Sequence, residues 1–123
     1  MYKTLIVEDS TFYRQLLKEA LHSRFPKMDI TEAIDGMEAL RKIETFLPDL
    51  VFMDIKLPGE SGLEITKKIK TQYPNIIVII LTAYDIPEYR EASAQAKADY
   101  FLSKGSSSKE SILNLVESIL AVR

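Results

Sequence analysis

Acidic residues follow two short apolar runs in the first half of the chain. The first run ends in Glu8 and Asp9, and the second, Leu50–Met53, ends in Asp54 and a Pro58-Gly59 turn. A carboxylate at the end of a buried strand is costly without solvent, a metal ion or a cationic partner. For Asp54 alone, a solvated strand-end residue is as good an interpretation as a functional one.

Two later runs also end in polar residues. Ile76–Leu81 is the strongest buried-strand pattern in the chain and stops at Thr82, and a short strand over Asp99–Leu102 ends near Lys104. Each residue alone has a simple explanation, as a strand-end cap or a surface lysine. Because the carboxyl ends of parallel strands meet at one edge of a sheet, we expect these residues to join the three carboxylates there.

Such a group of side chains predicts a specific chemistry. Packed together, Glu8, Asp9 and Asp54 repel one another, which favours a bound cation, and Lys104 supplies one further positive charge. Oxygen ligands without histidine or cysteine suit a hard ion such as Mg²⁺. The site would stabilise the oxygens of a transferring phosphoryl group, with Asp54 as the nucleophile that forms an aspartyl phosphate.

Five strand patterns alternate with five helix patterns at short spacing, and the 123 residues suit one domain over 1–123. This alternation predicts an α/β fold with right-handed βαβ units and a parallel sheet covered by helices on both faces. We expect a flavodoxin-like, doubly wound (βα)5 sandwich with strand order 2-1-3-4-5. Its ligand crevice would lie at the switch between strands one and three.

The helix patterns carry further expectations. The apolar stripe of the first helix, which includes Tyr13, is expected in the core, and Ser10 or Asp9 would cap this helix. The segment from Pro87 to Ala96 has so few large apolar residues beyond Tyr89 that we expect the least firmly packed helix there. Two residues outside the apolar stripe of the last helix are candidates for a partner surface: Leu113 and Val122. Three lysines of the third helix are interpreted as a solvated face: Lys67, Lys68 and Lys70.

Composition argues against several classes of protein. There is no cysteine for disulfides, thiolate metal sites or a thiol nucleophile, and the net charge of −2 gives no reason to expect direct binding to nucleic acid or an anionic membrane. The longest apolar run is too short to span a bilayer. The first residues lead directly into a strand without a signal-peptide pattern. We therefore expect a cytoplasmic protein.

Four stretches of this sequence resemble the signatures of response-regulator receiver domains from two-component signalling. The resemblance covers essentially the whole chain. The matching stretches are Val7-Glu8-Asp9-Ser10, Met53-Asp54-Ile55-Lys56-Leu57-Pro58-Gly59-Glu60-Ser61-Gly62, Leu81-Thr82-Ala83 and Phe101-Leu102-Ser103-Lys104.

The resemblance implies a role for each matching residue. Asp54 would be the phosphoacceptor, taking its phosphoryl group from a phosphohistidine of a sensor histidine kinase or a phosphotransfer protein. Asp9, Asp54 and the backbone carbonyl of Lys56 would bind Mg²⁺, with Glu8 acting directly or through water. Lys104 would pair with a phosphoryl oxygen.

The resemblance also implies a conformational switch. Thr82 would move to donate to the phosphoryl group and leave space for the ring of Phe101, which changes a surface built from the last two helices and the last strand. That surface would contact a downstream protein target or output domain, and a homodimer that forms on phosphorylation is a further option. The domain would signal rather than act as an enzyme, with slow self-dephosphorylation tuned by Lys56 and Tyr84.

Two positions depart from the family pattern. Proline commonly follows the lysine of the last strand, with a cis peptide, whereas Gly105 follows Lys104 here. Because a cis bond without proline costs roughly 3 kcal/mol, we expect a trans peptide. Many members have tyrosine at the switch position, whereas Phe101 has no hydroxyl, and the neighbouring Tyr100 should face the opposite side of the strand.

Alternatives from other classes have less support. An Mg²⁺-dependent phosphohydrolase with an aspartyl nucleophile, of the haloacid dehalogenase type, would have a second aspartate two residues after the nucleophile, where this chain has Lys56. A flavodoxin-like cofactor binder would need a glycine-rich phosphate loop after the first strand. A degenerate receiver that serves as a constitutive binding module is the remaining alternative.

Overall fold

The computed structural model describes residues 2–122, in which five strands alternate with five helices. All strand pairs are parallel, and the strand order is β2-β1-β3-β4-β5, which confirms the predicted doubly wound (βα)5 architecture. The elements are β1 Lys3–Val7, α1 Thr11–Arg24, β2 Asp29–Ala33, α2 Gly36–Phe46, β3 Leu50–Met53, α3 Gly62–Gln72, β4 Ile77–Thr82, α4 Pro87–Gln95, β5 Tyr100–Ser103 and α5 Lys109–Ala121.

The central position of β3 explains its unbroken apolar sequence. This strand pairs with β1 on one side and β4 on the other, and all four of its residues are buried. A parallel strand covered by helices on both faces has no solvent side, so its sequence does not alternate. The backbone then passes directly from Met53 to Asp54 at the carboxyl edge of the sheet.

Two apolar clusters fill the spaces above and below the sheet. One includes Phe52, Leu21 and Val116 and packs α1 and α5 against one face. The other includes Met53 and Ile65 and packs α2 and α3 against the opposite face. The polar edge of the sheet is thus held between two packed layers, which fixes the direction in which its side chains leave the strands.

Side-chain caps begin most of the helices at the positions that the sequence indicates. Ser10 accepts a hydrogen bond from the backbone N–H of Tyr13 at 3.2 Å, and Asp35 accepts one from Glu38 at 2.9 Å. Helix α4 differs, because Ile86 precedes it and provides no side-chain cap. The predicted choice between Ser10 and Asp9 is settled for Ser10, which leaves the Asp9 carboxylate free for other contacts.

Two expectations about surface residues are wrong. Leu113 is buried, because α5 packs against α1 as well as the sheet, whereas Val122 is 86% exposed. Lys70 is not part of a solvated face either. Its Nζ lies 2.9 Å from Oδ2 of Asp99 and 2.8 Å from the carbonyl oxygen of Ile76, so it connects α3 to the residues that immediately precede β5 and β4.

None of the helices within residues 2–122 has the length and apolar character needed to cross a membrane.

Candidate functional site

The sheet places the predicted site residues at one edge. The last residues of β1 and β3 are register partners, so Glu8 and Asp54 follow side by side. The last residues of β4 and β5 are also partners, which places Thr82 beside the residue that precedes Lys104. Parallel register therefore brings together residues that lie up to 96 positions apart in the sequence, as the Lys104–Glu8 contact shows.

Three carboxylates form the centre of this site. Carboxylate oxygens of Glu8, Asp9 and Asp54 lie within 4.8 Å of one another. Glu8 and Asp54 are buried, whereas Asp9 is exposed to solvent. Oxygen ligands at this spacing, partly open to water, are able to hold a metal ion, and their chemistry suits a hard divalent cation.

The ammonium of Lys104 lies against two of these carboxylates. Its Nζ is 2.5 Å from Oε1 of Glu8 and 3.3 Å from Oδ2 of Asp54. The backbone N–H of Lys104 donates to the carbonyl oxygen of Thr82 at 2.8 Å, which fixes the start of this loop. The lysine thus balances one of the three negative charges and leaves the cluster net negative.

Burial raises the pKa of Glu8, and the nearby charge of Asp54 raises it further. The Lys104 ammonium and the backbone N–H of Ser10 act in the opposite direction without cancelling the effect of burial. A carboxyl group with a raised pKa has an unfavourable charged form. A bound cation would relieve this cost, so the electrostatics of the cluster fit a metal ion.

Backbone contacts hold the phosphoacceptor candidate in one orientation. The N–H of Ile55 donates to Oδ1 of Asp54 at 2.8 Å, and the N–H of Gly62 donates to the carbonyl oxygen of Ile55 at 2.9 Å. Gly62 begins α3 and approaches so closely that a Cβ at this position would overlap the carbonyl oxygen of Asp54. The first turn of α3 therefore packs directly on the backbone of Asp54.

Tyr13 contributes to the site, although its sequence position indicated only a core residue. The Nζ of Lys104 lies 4.3 Å from the centroid of its ring. Burial, together with the charges of Glu8 and Asp54, raises the pKa of Tyr13 to about 12, so its hydroxyl stays neutral. The ring supports the lysine from the α1 side by a cation–π contact, which no motif in the sequence reports.

The residues predicted to act as a switch lie on neighbouring strands. The hydroxyl oxygen of Thr82 is fully buried and accepts from the N–H of Tyr84 at 3.2 Å, so its own proton remains available for donation. Phe101 is half-buried, and the guanidinium of Arg90 lies 4.6 Å from its ring centroid. Tyr100 is exposed, as expected for the residue next to Phe101, whose side chain should face the opposite side of the strand.

The loop after β5 has the expected backbone. Every peptide bond between the described residues is trans, including the bond from Lys104 to Gly105. The prediction of a trans peptide between Lys104 and Gly105 is therefore confirmed.

The side chain of Lys56 points toward α4. Its Nζ lies 5.4 Å from the ring centroid of Tyr84 and 6.0 Å from that of Tyr89. The two rings are perpendicular to each other, with centroids 6.5 Å apart. Tyr89 was expected only as the one large apolar residue of α4, and its contact with Lys56 depends on the loops that the fold brings together.

Comparisons with known proteins agree with this geometry. The chain is 34% identical over 118 residues to the chemotaxis protein CheY of Halobacterium salinarum, covering 96% of both chains. It is 34% identical over 111 residues to the probable transcriptional regulatory protein TcrX of Mycobacterium tuberculosis, covering 90% of this chain. The chain spans about half the length of that relative, at 47%.

A solved structure shows the same fold. A CheY-like response regulator receiver domain protein from Methanospirillum hungatei superposes with a TM-score of 0.90 at 29% identity, covering 98% of this chain and 94% of that one. The model of the response regulator receiver domain family matches residues 4–117. With this match extending over nearly the whole chain, the protein belongs to the response regulator receiver domain family of two-component signalling.

Proposed function

We propose that residues 1–123 form one receiver domain that takes a phosphoryl group from a histidine kinase or a phosphotransfer protein onto Asp54. The observation that carries this proposal is the buried carboxylate of Asp54, in contact with Lys104 and grouped with two further carboxylates. Few structural roles require three acidic groups and a lysine at the same strand ends. A phosphoryl-transfer site requires these charges together.

Mg²⁺ is the ion that we propose for the acidic cluster. Asp9, Asp54 and the backbone carbonyl of Lys56 would hold it, with Glu8 acting directly or through water. When bound, the ion would neutralise negative charge on the oxygens of the transferring group. The net negative charge of the cluster supports this assignment.

The protein's own residues account for the transfer step. A carboxylate oxygen of Asp54 forms a bond to phosphorus, while the bond between phosphorus and the donor imidazole nitrogen breaks and its electron pair stays on that nitrogen. Lys104 already lies 3.3 Å from Oδ2 of Asp54 and would move its ammonium to a phosphoryl oxygen. The Thr82 hydroxyl would donate to another oxygen.

The response is a rearrangement of α4, β5 and α5. Movement of Thr82 toward the phosphoryl group would leave space for the ring of Phe101, which is half-buried against the second apolar cluster and contacts the Arg90 guanidinium. A change in this surface would be read by a protein target, an output domain or a second copy of the chain. We propose no direct contact with nucleic acid or membrane and a cytoplasmic location for this domain.

The test is incubation with Mg²⁺ and either acetyl phosphate or beryllofluoride. We expect acetyl phosphate to add one labile phosphoryl group by intact mass, and both reagents to shift backbone NMR signals around Thr82, Phe101 and α4. Asp54→Asn should take up no phosphoryl group, and omission of Mg²⁺ should prevent the reaction. Absence of both the adduct and the shifts would leave a constitutive binding module as the function.

A phosphohydrolase is a weaker alternative. The position that would carry its general acid is Lys56, whose ammonium faces two tyrosine rings. Hydrolysis of a small phosphomonoester by the purified protein, with repeated turnover, would be the evidence for a phosphohydrolase.

A further inference from the structure

Three side chains from three separate segments meet beside the site. Lys56 lies two residues after Asp54, Tyr84 lies two residues after Thr82, and Tyr89 belongs to α4. The lysine Nζ lies 5.4 Å and 6.0 Å from the two ring centroids, and the rings contact each other edge to face. We call these three residues the lysine clamp.

The charge of Lys56 has no acidic partner within the described part of the chain. No carboxylate oxygen of residues 2–122 lies within 4.0 Å of its Nζ, although three carboxylates lie in the adjacent cluster. Aromatic faces attract an ammonium through their quadrupole, with the largest effect where water is excluded. Lys56 is exposed, and the two tyrosine rings are the groups placed to attract its ammonium.

The two rings are fixed to different degrees. Tyr89 is half-buried and packs against the apolar cluster beneath α4. Tyr84 is 50% exposed, but its backbone N–H is bonded to the hydroxyl oxygen of Thr82. Tyr89 is thus the better anchored ring, and its contact with Tyr84 connects α4 to the loop that carries Thr82.

We propose that Tyr89 is a positioning residue that holds Lys56 and Tyr84 together over the approach to Asp54 and thereby prolongs the lifetime of the aspartyl phosphate. The inference rests on the proposed function. It adds a residue of α4 to the control of hydrolysis and makes the lifetime depend on how α4 is docked. A protein partner that displaces α4 would release the clamp and change the lifetime of the signal.

The affected step is hydrolysis of the phosphorylated side chain. A water oxygen forms a bond to phosphorus while the bond from phosphorus to the Asp54 oxygen breaks, and the electron pair returns to the carboxylate. A water proton passes to solvent, and inorganic phosphate leaves. While it stays closed in the phosphorylated protein, the clamp would reduce access of this water, because its three side chains stand on the loops that follow Asp54 and Thr82 and on the adjoining α4.

The test measures loss of the phosphoryl group after the donor is removed, in Mg²⁺ buffer. We expect Tyr89→Leu to speed this loss about two- to fivefold, the range that corresponds to an exposed cation–π contact. Tyr89→Phe keeps the ring and should restore the wild-type rate. Tyr100→Leu removes an exposed tyrosine from β5 and serves as the matched control, with no change expected.

A second background separates positioning from general loosening of α4. In Lys56→Met, the charge that the rings attract is gone and only the contact between the two rings remains, so adding Tyr89→Leu should speed the loss by less than it does in the wild type. Equal acceleration by Tyr89→Leu in both backgrounds, or no acceleration in either, would overturn the proposal. Urea unfolding of each variant reports any loss of stability, which a merely structural role would produce alike in both backgrounds.

A measurement without phosphorylation keeps the two proposals distinguishable. Ring currents should move the NMR signals of the Lys56 ε-methylene group upfield in the unphosphorylated protein, and Tyr89→Leu should move them toward their ordinary positions. Unshifted signals in the wild type would overturn the clamp whether or not Asp54 accepts a phosphoryl group. Failure of phosphorylation with shifted signals would overturn only the proposed function and the clamp's effect on hydrolysis.

Discussion

Helices α4 and α5 flank the edge strand β5 on opposite faces, but they are held very differently. Helix α5 buries five residues, and Ser108 caps its first turn. Of the nine residues of α4, all of which the structure describes, Ser93 alone is buried, and the preceding Ile86 provides no side-chain cap. The predicted weak packing of α4 is therefore confirmed in its contacts.

The difference between the two helices suggests a division of roles, in which α5 stabilises the fold and α4 moves in response to a change at the site. Apolar burial on α5 secures one face of the sheet, while α4 has little area whose loss would oppose its movement. The hydroxyl of Ser93 also lacks a hydrogen-bond partner within residues 2–122. A switch driven by a modest change at Asp54 would therefore act on α4, because that helix costs least to displace.

The largest change in unfolding free energy is expected when packing is removed from α5. Leu113→Ala should lower the free energy of unfolding by about 2–5 kcal/mol, since the residue is 3% exposed and packs with α1. Urea denaturation measures the change. Val122→Ala, at an exposed position just after the same helix, is the control and should have little effect. Equal effects would mean that Leu113 is not packed as described.

Ser93→Ala should strengthen α4. The change removes a buried hydroxyl that has no partner in the described structure, so we expect about 1 kcal/mol of added stability and slower amide hydrogen exchange in α4. Urea denaturation and hydrogen exchange of the two proteins provide the comparison. A destabilised variant would show that the hydroxyl makes a bond that matters.

A new cap at the start of α4 should have a somewhat smaller effect. Ile86→Ser provides an acceptor for the first free N–H groups, whereas Ile86→Ala removes the same side chain without one. We expect the serine variant to exceed the alanine variant by about 0.5–1 kcal/mol in unfolding free energy. If the two variants unfold alike, a side-chain cap at position 86 does not stabilise α4.

The smallest effect concerns the ionic contacts of α1. Burial raises the pKa of Glu32, but Lys18 and Arg14 more than offset this and hold it below its ordinary value of 4.5. The ionised form is thus favoured in the folded state, and its contribution is present above pH 4.5 and lost as the pH falls through the lower folded value. Glu32→Gln should cost about 0.5 kcal/mol at pH 7.

That cost should decrease as the pH falls below 4.5, which urea unfolding at several pH values measures. Glu44→Gln, which removes an exposed carboxylate from α2, is the charge-matched control. A deficit that persists unchanged in acid would mean that Glu32 acts through packing and not through its charge.

The sequence was sufficient to predict the sheet order and the grouping of the acidic residues with Lys104. The apolar pattern of each strand is visible in its own short segment. In a parallel sheet the carboxyl ends of all strands then lie at one edge. The structure places the carboxylate cluster and the contact of Lys104 with Asp54 at that edge.

Other features depend on contacts between elements, which periodicity within one helix does not report. Lys70 binds Asp99 across 29 positions, and Leu113 is buried because α1 covers its side of α5. The contacts of Tyr13 with Lys104 and of Tyr89 with Lys56 arise in the same way. Each of these side chains looks ordinary in its own segment and acquires its role from a neighbouring one.

The close approach of Gly62 to Asp54 also restricts how the sequence can vary. In a library with all amino acids at position 62, selection for folded protein should retain glycine, because any side chain would strike the backbone of Asp54. Position 59 should behave differently, since Gly59 has φ +77° with open space around it. Asparagine and aspartate tolerate that backbone and should survive there. The two glycines, three residues apart, would therefore tolerate different sets of substitutions.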